Sequence, residues 1–293
     1  MGNSLTAQKR GGIFYAVALI LFWVLSVIVQ IILSAAGATD RVFYAVNALF
    51  PAIVFGAAYL FYVKSFGAPS YVKRLPRASS ILPTLLLAFG MFAGLGWLNL
   101  TISSAVESMG GRVAVAELPL ETPFDFILFS VLLCVLPAVF EELFFRGILL
   151  RELSGAGKFA AVLTVALCFA LYHGNVSQLF YQFIYGVGLG ILTLTAKSLL
   201  PAVFAHFLNN FVLLVLGYCG ITEEIFFYPL LIALGAVSVV VFAVFTVLNL
   251  RKSKSADGSA DKGSVKGFYL PFGIIGIVFA TVIIILNAIP FSA

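Results

Sequence analysis

Charge is what this sequence has least of. Only 10% of its 293 residues are Asp, Glu, Lys or Arg, while 62% are hydrophobic. No soluble domain of this size can hide that much apolar surface, so the composition excludes a water-soluble module and defines a polytopic membrane protein. Histidine is scarce too: His173 and His206 are the only two. Three cysteines, Cys134, Cys168 and Cys219, all lie in apolar runs. They form no CxxC and no metal-ligand spacing, and so read as small core residues. There is no GxSxG elbow for a serine nucleophile and no HExxH for a zinc peptidase. The run Gly186-Val-Gly188-Leu-Gly190 follows no strand and lies in an apolar segment, which excludes a nucleotide loop. No internal repeat of the transporter type is evident. The net charge of +5 follows a membrane topology and gives no reason to expect nucleic acid as a partner.

What is present is a series of apolar runs, about 13–36, 43–63, 80–101, 124–150, 159–173, 178–196, 199–219, 226–250 and 268–290. Each is long enough, or nearly so, to cross about 30 Å of hydrocarbon. The pattern predicts an all-α bundle of eight or nine transmembrane helices. The first run ends in Ser34-Ala-Ala-Gly-Ala38, which resembles a cleavage site, but its apolar core is too long for a signal peptide and is kept as a span. With the N-terminus inside, fifteen Lys and Arg residues fall inside or near that face, and only Arg41 and Arg112 fall outside. That is the positive-inside bias. Residues 64–79, basic and carrying Pro69 and Pro76, predict an interfacial segment beside anionic lipid. Residues 251–267 predict a flexible polar linker. The pairs Gly90/Gly94 and Gly186/Gly190 predict close helix packing rather than chemistry. Three parts follow: N-terminal helices and loops over 1–123, a core over 124–219, and C-terminal helices over 220–293. Several loops separate the spans, and the whole reads as a multi-pass protein of the plasma membrane.

Polar side chains at membrane depth are few. The fourth run carries Glu141, Glu142 and Arg146, the fifth ends in Phe169-Ala-Leu-Tyr-His173, and the seventh holds His206-Phe-Leu-Asn-Asn210. An acid at that depth costs at least about 2.5–3.5 kcal/mol and marks a functional site by default. Glu142 and Arg146 stand i,i+4 with the acid first, the favoured order for a pair. Glu141 lies about 100° round the helix and has no such partner within a turn. One acid reads as structural and the other as free to act. At 1.5 Å per residue, Glu141, His206 and Asn210 lie roughly 14–20 Å from their inner flanks and His173 about 22 Å. These residues are therefore expected to converge in a water-filled cavity opening to the inside. Pro137, one turn before Glu141, removes a helix hydrogen bond and is placed to bend the helix. A Glu and a neutral His sharing one water form a general base, and a second His with an Asn can donate to a developing oxyanion. That set suffices to hydrolyse an amide without a covalent intermediate.

Glu141-Glu142-xxx-Arg146, Phe169-xxx-His173 and His206-xxx-Asn210 together resemble the three signature motifs of the CPBP family, the CAAX proteases and bacteriocin-processing enzymes also called Abi. The resemblance covers about residues 124–215. It implies an intramembrane endopeptidase in which Glu141 and His173 activate water, His206 and Asn210 form the oxyanion site, and Glu142 and Arg146 brace the helix. The family is described both as a metalloprotease and as a metal-free glutamate peptidase. Glu141, His173 and His206 also offer a two-His-one-carboxylate set for Zn²⁺ with an open position for water. The implied substrate is a peptide or membrane-protein segment in the bilayer, reached from the inside face. Nothing in the sequence points to a prenylated one. Outside this class, an intramembrane Glu/His set also suits a proton relay in a transporter, or a non-catalytic immunity or scaffold protein.

Overall fold

The computed structural model describes residues 2–113, 117–221, 223–257 and 264–289. Among these it is all-helical, without a strand. Helix α1 is Gly2–Ala35 and α2 is Asp40–Phe66. A 3₁₀ turn, Ala78–Ser80, leads into α3, Ile81–Ser108. The central helix α4 runs Pro123–Glu152. It is followed by α5 (Lys158–Tyr172), α6 (Leu179–Ala196) and α7 (Leu200–Tyr218). The last two are α8 (Pro229–Asp257) and α9 (Ile274–Ala288). Seven of the nine are long and apolar enough to cross a membrane; α5 and α9 are apolar but shorter. The nine runs of the sequence are these nine helices, and they make the chain an integral membrane protein.

Two expectations need correction. The stretch 251–267 is not linker throughout, because α8 continues to Asp257. Arg251-Lys-Ser-Lys-Ser-Ala-Asp257 contains no Gly or Pro to break a helix. Residues 258–263 lie outside the described residues, and a helical turn has formed again at Lys266–Phe268. The cysteines also divide: Cys134 and Cys168 are buried, whereas Cys219 is exposed. Cys219 caps the C-terminus of α7, past the last turn that packing covers.

The glycine pairs do pack helices. A Cβ on Gly94 would come within 2.8 Å of the Gly235 carbonyl carbon, and one on Gly235 within 2.1 Å of the Gly94 nitrogen, so α3 and α8 meet backbone to backbone. Likewise, a Cβ on Gly186 would lie 3.0 Å from Ala166 Cα, which fixes α6 against α5. Without a hydrophobic drive between helices in lipid, such close approach is what holds them.

Helix ends assigned to one face by charge touch each other. At the basic, inner end Arg10 of α1 pairs with Glu152 at 2.6 Å, and Tyr62 of α2 donates to the same buried carboxylate. The 67–77 loop folds back on this end. Tyr71 donates to the carbonyls of Arg146 (2.7 Å) and Gly147 (3.1 Å), while Lys73, Arg74 and Arg77 remain exposed as an interfacial segment requires. At the other end Arg41 pairs with buried Asp125 at 2.6 Å, and the Arg112 amide bonds the Ala288 carbonyl.

Candidate active site

The site is built on α4, which is not a uniform α-helix. Wide π-type turns at Ser130–Val135 and Leu143–Leu149 flank the α-helical segment Leu136–Glu142, which carries Pro137, Glu141 and Glu142. Such widened turns interrupt helices most often at functional sites. Pro137 has no amide hydrogen to give to the Leu133 carbonyl four residues back. The Asn210 side chain of α7 supplies one, donating to that oxygen at 3.0 Å. The proline therefore leaves an open acceptor, and α7 docks onto it.

Glu142 and Arg146 pair as the spacing predicts, at 2.6 Å and fully buried. The second guanidinium nitrogen donates to the Gly186 carbonyl at 3.1 Å, tying α4 to α6 at the tight α5–α6 contact. Glu142 also does something the spacing did not reveal. Its Oε1 receives Nδ1 of His206 from α7 at 3.0 Å. With Nδ1–H donated to a carboxylate, the other ring nitrogen of His206 is turned toward Glu141, 3.9 Å from its Oε2. Glu142 is thus the orienting group for His206 as well as the partner of Arg146.

Glu141 is 4% exposed. Its Oε1 accepts a hydrogen bond from the Tyr172 hydroxyl at 2.9 Å, and Oε2 has no protein hydrogen-bond partner. The acid read as unpartnered is therefore held by one oxygen and open at the other. Tyr172 is clamped between the rings of Phe22 and Phe55, both 5.0 Å away. Its own ring touches that of His173, with centroids 4.8 Å apart. Glu141 and His173 thus meet through Tyr172. His173 caps α5, and its Nδ1 lies 2.8 Å from the Phe169 carbonyl, so that nitrogen carries the proton and Nε2 keeps its lone pair. Phe169 is the common floor: Arg146 lies 4.5 Å over its ring, His173 4.9 Å from it and His206 5.8 Å from it.

Asn210 sits one turn beyond His206, half-buried. Its neighbour Asn209 takes the Tyr181 hydroxyl on Oδ1 and donates to Asn210 Oδ1 at 3.4 Å. Tyr172, Tyr181 and Asn209 were missed in the sequence. Two tyrosines within apolar helices look like ordinary core residues, and only their partners across the bundle distinguish them. Among the described residues no three His, Cys, Asp or Glu side chains are grouped closely enough to hold a metal ion. A preformed Glu141–His173–His206 cage for Zn²⁺ is therefore not what these residues build, and no chemistry is routed through a metal below.

A cavity of about 850 Å³ reaches Asn210 and Leu133. Its rim is formed by exposed Glu121 from the α3–α4 loop and by Ile221 beyond the end of α7. These lie at the end of the bundle opposite the basic cluster. The sequence led us to expect a cavity opening to the inside. This one opens at the face that charge assigns to the outside, and Glu141, Glu142, His173 and His206 are not among the residues that line it.

The arrangement is that of a helical membrane protein with a buried acid–histidine cluster, in which Glu142 pairs with Arg146 and His206. Residues 123–212 match the family model described as Rce1-like, type II CAAX prenyl endopeptidase Rce1-like. The match spans every one of Glu141, Glu142, Arg146, His173, His206 and Asn210 and agrees with the resemblance drawn from the three motifs. It supports an intramembrane endopeptidase in general. No curated protein and no solved structure matches the chain.

Proposed function

We propose that this chain is an intramembrane endopeptidase in which Glu141 is the proton acceptor. The observation that carries the reading is the asymmetry of its carboxylate: one buried oxygen is held by Tyr172 and the other faces His206 with no hydrogen-bond partner. In the proposed reaction, water attacks the scissile carbonyl and gives one proton to Glu141 Oε2. The lone pair on His173 Nε2 accepts a hydrogen bond from the other water hydrogen and orients the nucleophile. The carbonyl oxygen becomes an oxyanion, met by the remaining N–H of Asn210 and by Nε2–H of His206, whose ring in this reading enters the cycle with a proton on each nitrogen and keeps both throughout. Glu142, bonded to Nδ1, stabilises that doubly protonated ring, and Arg146 pairs with the same carboxylate oxygen. The tetrahedral species collapses as Glu141 returns its proton to the leaving amine. The C–N bond breaks and both products leave neutral or singly charged as their termini titrate.

The substrate in this reading is a peptide or membrane-protein segment in the plasma membrane. A zinc-dependent version uses the same residues differently. Purified wild type and Glu141→Gln, assayed on a peptide library with metal content measured on the same samples, separate the two. The glutamate reading expects cleavage by wild type without stoichiometric metal and none by the variant. Cleavage that follows bound zinc, or that survives Glu141→Gln, refutes it.

A further inference from the structure

An asparagine amide can sit either way round, and for Asn210 the difference decides what it does. With its nitrogen toward a developing oxyanion it donates a hydrogen bond; reversed, it sets a carbonyl oxygen against a negative charge. The Leu133 carbonyl, left without a helix amide by Pro137, can only accept, so the Asn210 atom 3.0 Å from it is Nδ2. Oδ1 of the same amide is then turned to Asn209, whose Nδ2 donates to it across 3.4 Å. With its nitrogen so used, Asn209 takes the Tyr181 hydroxyl hydrogen on its own Oδ1. Reversing Asn210 sets oxygen against the Leu133 oxygen, and reversing Asn209 sets oxygen against Asn210 Oδ1. Only the Tyr181 hydroxyl, which can donate or accept, tolerates either sense. The chain therefore runs one way, and Leu133 sets its direction.

Burial holds the chain in place. Tyr181 of α6 and Asn209 of α7 are each 4% exposed, where an unpaired polar group is costly. Tyr181 packs in a core with Leu87 and Met91 of α3 and Ala202 and Ala205 of α7. Its ring lies 6.1 Å from that of Tyr185. Asn209 and Asn210 are consecutive and so point about 100° apart round α7. One reaches α6 and the other α4. An asparagine that merely joined two helices would need only the bond across to α6. Asn209 makes that bond with its oxygen and uses its nitrogen to hold Asn210.

We propose that Asn209 and Tyr181 are positioning residues for the hydrolysis. With the Leu133 carbonyl they hold the Asn210 amide in the one sense that leaves its second N–H for the oxyanion. The proposal rests on the endopeptidase reading for the oxyanion, whereas the chain itself is a property of the fold. Both residues act through Asn210 and neither touches the reacting atoms.

The first test needs no substrate. Melting temperatures of Tyr181→Phe, Asn210→Ala and the double variant are compared in one detergent. Among the described residues these two side chains are linked by way of Asn209 and share no bond of their own. Independent roles give additive shifts, whereas a chain predicts a double variant that falls short of the sum. Additive shifts overturn the chain whether or not the protein cleaves peptides. The second test is kinetic, on the best-cleaved member of the peptide library. Asn209→Leu should lower kcat about 10-fold with KM unchanged, the scale of one lost hydrogen bond. In the Asn210→Ala background it should change the residual kcat by less than about twofold, because its target is gone. Tyr181→Phe/Asn209→Leu removes both ends of one buried bond, leaves no orphaned hydroxyl and should show the same pattern in a folded protein. An equal loss in both backgrounds, or a loss carried by KM, overturns positioning through Asn210. Non-additive melting with no cleavage by wild type leaves the chain standing and sinks the endopeptidase reading instead.

Discussion

Glu141 and Glu142 are adjacent acids at the same depth, and the structure gives them opposite consequences on mutation. Glu142→Gln leaves the Arg146 cation buried at 0% exposure without its counter-ion and weakens the bond that orients His206. Breaking a buried pair by removing one member costs about 3–5 kcal/mol, because the remaining charge has no compensation. At a few degrees per kcal/mol this corresponds to a fall in melting temperature on the order of 10 °C. Glu141→Gln behaves differently. The amide oxygen still accepts from Tyr172, and no buried cation depends on Glu141 for a direct contact. Its cost is expected to be about 1 kcal/mol or less, the net value of one ordinary hydrogen bond. Melting curves of both purified variants in one detergent, by intrinsic fluorescence or circular dichroism, measure the contrast. Glu142→Gln should lose most of its thermal margin and Glu141→Gln should stay within a few degrees of wild type. If Glu141→Gln is the unstable one, or if the two melt together, the division of labour between the acids is wrong.

Further expectations follow from single contacts. Tyr172→Phe removes the donor to Glu141 and should lower kcat roughly 10-fold, corresponding to about 1.4 kcal/mol for a bond to a charged acceptor, with KM and melting temperature little changed. Asn210→Ala removes both the Leu133 bond and an oxyanion donor; kcat should fall about 10²–10³-fold while the protein loses only about 1 kcal/mol of stability in a melting experiment. Gly94→Val drives a side chain into the Gly235 backbone, so α3 and α8 should separate, read as lower yield of monodisperse protein in gel filtration and a lower melting temperature. In intact cells carrying the wild-type chain, an impermeant thiol reagent should modify Cys219 and spare buried Cys134 and Cys168, as mass spectrometry of the labelled peptides would report.

Much of this was legible in the sequence because lipid makes polar residues conspicuous. All nine helices follow the apolar runs, and the Glu142–Arg146 pair follows from i,i+4 spacing on one helix. The extent of α8 was misjudged because a polar composition suggested linker, while helix continuation depends on the absence of Gly and Pro over residues 251–257. Contacts between helices were not legible. That Asn210 fills the acceptor freed by Pro137, that His206 leans on Glu142, and that Tyr172 holds Glu141 are all relations across sequence separations of 31 to 77 residues. No local pattern encodes them.

The central claim is that Glu141 carries a proton in peptide hydrolysis while Glu142 and Arg146 support His206. The most direct measurement is cleavage by one detergent-purified preparation of wild type beside Glu141→Gln, on peptides with and without a prenyl group, with metal quantified in both samples. The account predicts cleavage by wild type that resists chelators, and a folded Glu141→Gln protein that cleaves nothing. Cleavage retained by that variant, or abolished in wild type by removing a stoichiometric metal, would contradict it.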